Sequence, residues 1–250
     1  MNAFRDTSIL LGRTMKHILR SPDTIITVAI TPIAMMLLFV YVFGGAIQAG
    51  SDNYVNYLLP GILLIAIATG TSYTAFRLFT DMQKGILSRF NTMPIHRSAV
   101  LWAHVLTSIV SNAISILVII AVALLMGFRS DANIFEWLGV AGILFLFTFA
   151  LTWLAVTPGL KAKTIDGASA FAYPLIFLPF ISSAFVPTDT MPTVVRIFAE
   201  NQPVTAIVNA IRSLLNSAPI GNDLWIALAW CIGLTIIAYV IAVKMYKKIA

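Results

Sequence analysis

The groups in this chain with any chemistry to offer are mostly uncharged and lie within apolar surroundings. Thr69, Thr71, Ser72 and Thr74 form one set, and Ser108, Ser111, Asn112 and Ser115 form another. Hydroxyls and carboxamides so placed either bond one helix to its neighbour or meet a neutral polar ligand. Asn112 has the stronger claim on function, because an amide deep in hydrocarbon must find a partner or a wet cavity. Carriers driven by protons or sodium generally need an ionisable group or a broken helix at mid-membrane. Neither is evident here: Arg77, His104 and Asp166 fall near enough to the ends of apolar stretches to reach the interface. Metal or covalent chemistry has as little to work with. There is no H-E-x-x-H motif, His17, His96 and His104 stand apart, and the only cysteine, Cys231, lies inside an apolar stretch as a small hydrophobe. No G-x-x-x-x-G-K-[ST] loop is present to cradle ATP.

The elements that must position these groups are membrane helices. Six stretches, 25–47, 57–79, 99–126, 138–157, 167–186 and 224–243, reach the roughly 20 residues a helix needs to cross hydrocarbon. With both ends on the inner face, 13 of the 16 lysines and arginines lie inside and only Arg129, Arg196 and Arg212 outside, a positive-inside bias that orients the chain. The formal charge of +6 is therefore a membrane signature, and the basic groups are too dispersed for a nucleic-acid surface. At 250 residues and 59% apolar composition the chain has room for a single domain, 1–250, and for little beyond one helical bundle. Residues 1–22 lack the apolar core of a cleavable signal. Phe4, Ile9, Leu10, Met15, Ile18 and Leu19 alternate there with basic residues as in a helix lying on the inner surface. The expected fold is all-α: six transmembrane helices, that surface helix, and an outer helical hairpin over 187–222 between spans five and six.

Three segments depart from plain crossings. Span five carries Pro174 and Pro179, so it should kink or run irregularly. Its Phe171, Tyr173, Phe177 and Phe180 either line an apolar path or simply pack. In the outer hairpin, Pro203 can begin a helix whose apolar positions recur at helical spacing and Asn216 can help end it. That hairpin is a protective cap or an exit gate. On the inner side, loop 80–98 puts Ile86, Leu87 and Phe90 on one face beside Lys84 and Arg89, which suits docking into a soluble partner or contact with lipid alone.

Taken in order, Gly85-x-Leu87-x-Arg89, Pro94-Ile95-x-Arg97, and Asn201-x-Pro203 to Ala210-x-Arg212 resemble the permease of a type 2 ABC exporter, specifically the daunorubicin-resistance-like group. The likeness covers nearly the whole chain. Gln202 departs from it, since many relatives place the asparagine directly before the proline. The resemblance implies that Arg13, Lys16, Lys84, Gly85, Leu87, Arg89, Met93, Pro94 and Arg97 contact an ATPase subunit. If two copies enclose a largely uncharged path, substrate should pass near Thr71, Asn112, Tyr173 and Phe177, where neutral polar groups and aromatics can hold an amphiphile, and an outer gate would involve Asn201, Pro203 and Arg212. The chain would not be an enzyme by itself and would hold no cofactor. ATP and Mg2+ would bind two copies of a separate ATPase, and a second permease, as a homodimer, would complete the route for an amphiphilic or drug-like molecule. The setting would be a bacterial or archaeal cytoplasmic membrane with both termini inside. Export of a lipid-linked glycan or surface polymer is a competing reading, and a membrane anchor that transports nothing is another.

Overall fold

Apolar runs interrupted by few charges favour helices that satisfy their own backbone, and every regular element among the described residues is helical. The computed structural model describes residues 7–12, 14–15, 23–44, 54–86 and 97–249. In chain order these give α1 (Asp23–Leu37) with a π-helical turn (Leu38–Phe43), α2 (Tyr54–Gln83), α3 (Arg97–Leu125) and α4 (Ile134–Lys161). Two short helices follow, α5 (Ile165–Ser169) and α6 (Ala172–Phe177), then a 3-10 turn at Leu178–Ile181. The hairpin helices α7 (Thr193–Asn201) and α8 (Pro203–Leu215) lead into α9 (Asp223–Ile249).

Five segments are long and apolar enough to cross a membrane: Ile26–Phe43, Tyr54–Gln83, Ala99–Leu125, Ile134–Lys161 and Asp223–Tyr246. The expected crossing at 167–186 is not a sixth continuous helix. Pro174 and Pro179 break it into α6 and the 3-10 turn, each proline sitting in the first turn of its piece, where a missing N–H is least costly. Ser182 closes the last piece by donating to the Pro179 carbonyl at 2.6 Å while its oxygen accepts from the Ala184 N–H. The broken stretch starts with α5 against α2 and α4 and finishes at the Tyr54 end of α2, where the Tyr54 hydroxyl donates to the Phe185 carbonyl at 3.0 Å.

α2 is the axis of the bundle. Of its most apolar window 83% is buried, against 22% for the windows of α1 and α9, which leave most of their surface for lipid. Small residues allow this close packing. A Cβ on Gly61 would lie 2.6 Å from the Ala184 Cβ, and one on Gly159 of α4 would lie 3.1 Å from the Ala75 carbonyl oxygen of α2. At the end of the bundle nearest the two termini Leu10, from the helical residues 7–12, joins a cluster with Leu78, Trp153, Leu160 and Tyr246. The N-terminal helix is thus seated on the bundle, with Ile9 turned outward. At the other end α8 buries Val204, Ile207, Val208, Ile211 and Leu214 against α2, α4 and α9, while α7 stays largely exposed. Asn133 caps α4 in a reciprocal box with Glu136, whose carboxylate also accepts from Ser217 at 2.8 Å.

Candidate functional site

A polar seam runs through the middle of the bundle. Thr74 of α2 donates to the Ser108 hydroxyl of α3 at 2.8 Å, and Ser108 lies 3.2 Å from the Thr152 hydroxyl of α4. Three helices are therefore bonded through one serine. Ser111 and Ser115 turn their hydroxyl protons back onto carbonyls four residues earlier, and Thr71 does the same toward Ile67 and, three residues back, Ala68. Asn112 is 2% exposed and donates its amide to the Ser108 carbonyl at 2.9 Å. Its Oδ1 has no partner. Thr152 was not among the residues expected to matter. Its spacing of four from Thr148, to whose carbonyl it donates, was the available signal.

Asn112 opens onto a cavity of about 10 Å3 lined also by Val28, Gly70, Tyr73, Arg77, Ser111 and Ser115. Such a volume is close to the smallest that admits one water. Gly70 is required at this point, because a Cβ there would sit 2.1 Å from the Asn112 Oδ1. Arg77 corrects the expectation that it reaches the interface. Side chains lean toward the N-terminus of their helix, so the Arg77 stem heads toward the Tyr54 end and into the bundle. Its Nε donates to the Tyr73 carbonyl at 3.3 Å, and its Nη1 is buried without a partner. His104 does not reach the interface either: it is buried, with Nε2 3.4 Å from the Asp81 carboxylate. Asp166 is exposed, a few residues beyond the end of α4.

The proposed path residues do not converge. Thr71 is fully buried and bonded to its own turn, and Asn112 faces the cavity on the α3 side. Tyr173 and Phe177, each 62% exposed, lie on α6, which packs on α2 and has no substantial contact with α3. Phe177 begins a stair of rings instead. It meets Phe180 at 6.2 Å, Phe180 stacks on Phe185 at 4.9 Å, Phe185 on Phe39 at 4.7 Å, and Phe39 meets Phe43 at 5.6 Å. The stair joins the broken segment to the π-helical turn of α1, and Tyr41, Val42 and Phe43 continue the exposed apolar face.

At the Tyr54 end of α2 Arg212 acts as a staple. Its guanidinium lies 3.8 Å from the centre of the Tyr57 ring and donates through Nε and Nη2 to the Tyr57 carbonyl, at 3.3 and 3.0 Å. Nη2 also donates to the Ser183 carbonyl at 2.7 Å, and Nη1 to Asn209 Oδ1, which accepts from Ser183 as well. One side chain thereby joins α8, the start of α2 and the end of the broken segment. Pro203 begins α8 as expected, with Asn216 ending it. Asn201 does not join the staple: it is exposed and donates to the Ile197 carbonyl of its own helix. The neighbour that departs from the family pattern does the connecting. Gln202 is buried and donates to the carbonyls of Leu178 and Ile181. Further out, Arg196 bridges Asp189 and Glu200 on the exposed surface, where its bond to Glu200 raises the guanidinium above its usual pKa.

Of the proposed ATPase contacts, Lys84 and Gly85 follow the last turn of α2, and Gly85, at a φ of 66°, adopts the left-handed turn that favours glycine. Arg97 begins α3. Arg13, Lys16, Leu87, Arg89, Met93 and Pro94 lie outside the described residues. Among the described residues no three His, Cys, Asp or Glu side chains gather as a metal site would require.

A bundle of apolar helices with a buried polar seam, a broken helical segment and an outer hairpin is a membrane permease in form. The chain belongs to the ABC-2 type transporter family, whose model matches residues 5–216. It is 28% identical over 242 residues to the daunorubicin resistance ABC transporter permease protein of Streptomyces coeruleorubidus, covering 95% of this chain and 84% of that protein. It is 23% identical over 246 residues to the probable doxorubicin resistance ABC transporter permease protein of Mycobacterium tuberculosis, covering 97% of this chain and 88% of the relative.

Proposed function

We propose that this chain is one of two permeases in an ATP-driven exporter, served by two copies of a separate ATPase subunit, and that its cargo is an amphiphilic, drug-like molecule. The observation that carries the reading is its likeness, along almost its full length, to permeases named for daunorubicin and doxorubicin resistance. The exposed rings at the two ends of the stair, Phe177 and Phe43, support it, since aromatic faces hold flat apolar compounds without charge desolvation. On this reading the exposed Tyr173 and Phe177 meet the apolar body of the cargo, Asn112 offers a polar contact at the separate cavity, and Thr71 stays in the packing of α2. The broken segment makes a sixth crossing, supported by its start beside α4 and its end against Tyr54. Both termini then lie on the cytoplasmic side of a bacterial or archaeal membrane. Arg13, Lys16, Lys84, Gly85, Leu87, Arg89, Met93, Pro94 and Arg97 pass the ATPase stroke to the bundle, and Arg212, on the helix that Pro203 begins, holds the outer end shut between cycles.

Inverted membrane vesicles containing the permease and its ATPase provide the test. ATP should drive doxorubicin inward, and Tyr173→Ala or Phe177→Ala should change the ranking of transported amphiphiles more than the amount of permease in the membrane. A complex that forms and hydrolyses ATP yet moves no amphiphile would overturn the cargo class.

A further inference from the structure

Arg77 and Asn112 both line the cavity between α1, α2 and α3, and each has a buried polar atom that no described residue satisfies. Arg77 Nη1 offers a proton, and Asn112 Oδ1 offers lone pairs. The orientation of the Asn112 amide is fixed, because its Nδ2 faces the Ser108 carbonyl, which only accepts. Ser111 and Ser115 have committed their protons to backbone carbonyls and so present lone pairs to the same space. One charged donor thus faces several acceptors. A carboxylate or phosphate oxygen would suit Arg77 but would meet the lone pairs of Asn112 and both serines. An ammonium would suit those oxygens but would meet the guanidinium charge. A hydroxyl satisfies both sides, accepting from Arg77 while donating to Asn112. The volume, about 10 Å3, matches a single oxygen. Gly70 leaves the acceptor free to serve it, since any Cβ at that position would lie on Oδ1.

We infer that this cavity is a binding site for one neutral hydroxyl, supplied either by an ordered water or by the alcohol group of an amphiphile. An alcohol as occupant rests on the permease reading above; a water does not. Leaving either atom unpaired in a buried site is costly, so a ligand lacking the hydroxyl proton should bind about tenfold more weakly or worse.

The full chain in lipid nanodiscs, without its ATPase, can be photolabelled with a diazirine-bearing octanol and with the O-methyl ether of the same probe. In parallel, a high-resolution map of the ligand-free protein would look for an ordered oxygen in contact with both Arg77 and Asn112. Labelling of the 70–77 and 111–115 segments about tenfold stronger with the alcohol, lost in Asn112→Leu, assigns the site to a cargo hydroxyl. Arg77→Met gives an independent control, because it removes the donor while Asp81, which also interacts with Arg77, keeps His104 at 3.4 Å. It should erase the same preference. Equal labelling by the two probes, together with an ordered oxygen bridging Arg77 and Asn112, assigns the site to water. Equal labelling with no such oxygen overturns the inference. Because these measurements need neither ATP nor transport, a failure here is distinct from a failure of the exporter reading, which the vesicle assay reports.

Discussion

Two single residues fix how tightly the bundle closes. Gly70 faces Asn112 so closely that Gly70→Ala must displace the amide. We expect a loss of about 1–3 kcal/mol, the usual cost of overpacking, read as a lower thermal midpoint in detergent. Arg212 binds three segments at once, and Arg212→Ala leaves the carbonyls of Tyr57 and Ser183 without their donor. A loss of about 2–3 kcal/mol follows for charged hydrogen bonds of this kind. Arg212→Lys should recover only part of it, since an ammonium cannot reproduce the planar fork or the stacking on Tyr57. Equal midpoints for Arg212→Ala and the wild type would show that the staple holds nothing. At this scale the sequence was only partly legible. Asn112 could be singled out because a lone amide among hydrocarbons is conspicuous. Arg77 was misread because proximity to a helix end suggests an interfacial side chain, whereas the lean of side chains on α2 carries it inward. Arg212 could be noticed, but its bond to Tyr57 joins residues 155 positions apart, and no local pattern records that.

At the scale of elements, Pro174 and Pro179 announced irregularity in the fifth stretch, yet they do not kink a long helix. Each starts a short one, and Gln202, seen in sequence only as a departure, bonds to the carbonyls where the pieces meet. Continuous helices were legible from apolar length; this junction depends on which carbonyls a glutamine reaches from a separate helix. The inner loop should be similarly sensitive to conformation. Gly85→Ala places a Cβ in left-handed backbone, at a cost of about 1–2 kcal/mol, and should shift the exit of the chain from α2. We expect ATPase activity stimulated by cargo to fall more than total permease in the membrane. Leu87→Asp should go further and separate the permease from its ATPase, with copurification as the readout. Full copurification together with normal stimulation would remove the loop from the coupling machinery.

For the whole molecule, the positive-inside bias predicts a cytoplasmic C-terminus after Lys244, Lys247 and Lys248. A reporter fused after Ala250 should be active only inside, and activity only outside would reverse the topology. The buried axis gives this orientation a mechanical meaning. α2 is 30 residues long, about 45 Å of continuous helix at the standard rise. One end leads through Gly85 into the inner loop, and the other carries Tyr57 into the grip of Arg212. Close packing at Gly159 against Ala75 and Leu78 joins this rod to α4 along its inner half. Pro60 removes one hydrogen bond of the rod just beyond Tyr57, so the stiff part runs from there to the inner loop. We propose that displacement at the inner loop reaches the Tyr57 end and strains the hydrogen bonds of Arg212, which span 2.7–3.3 Å. The same rod works in reverse, so a compound that wedges the Arg212 staple open from outside would change how readily the loop seats on its ATPase.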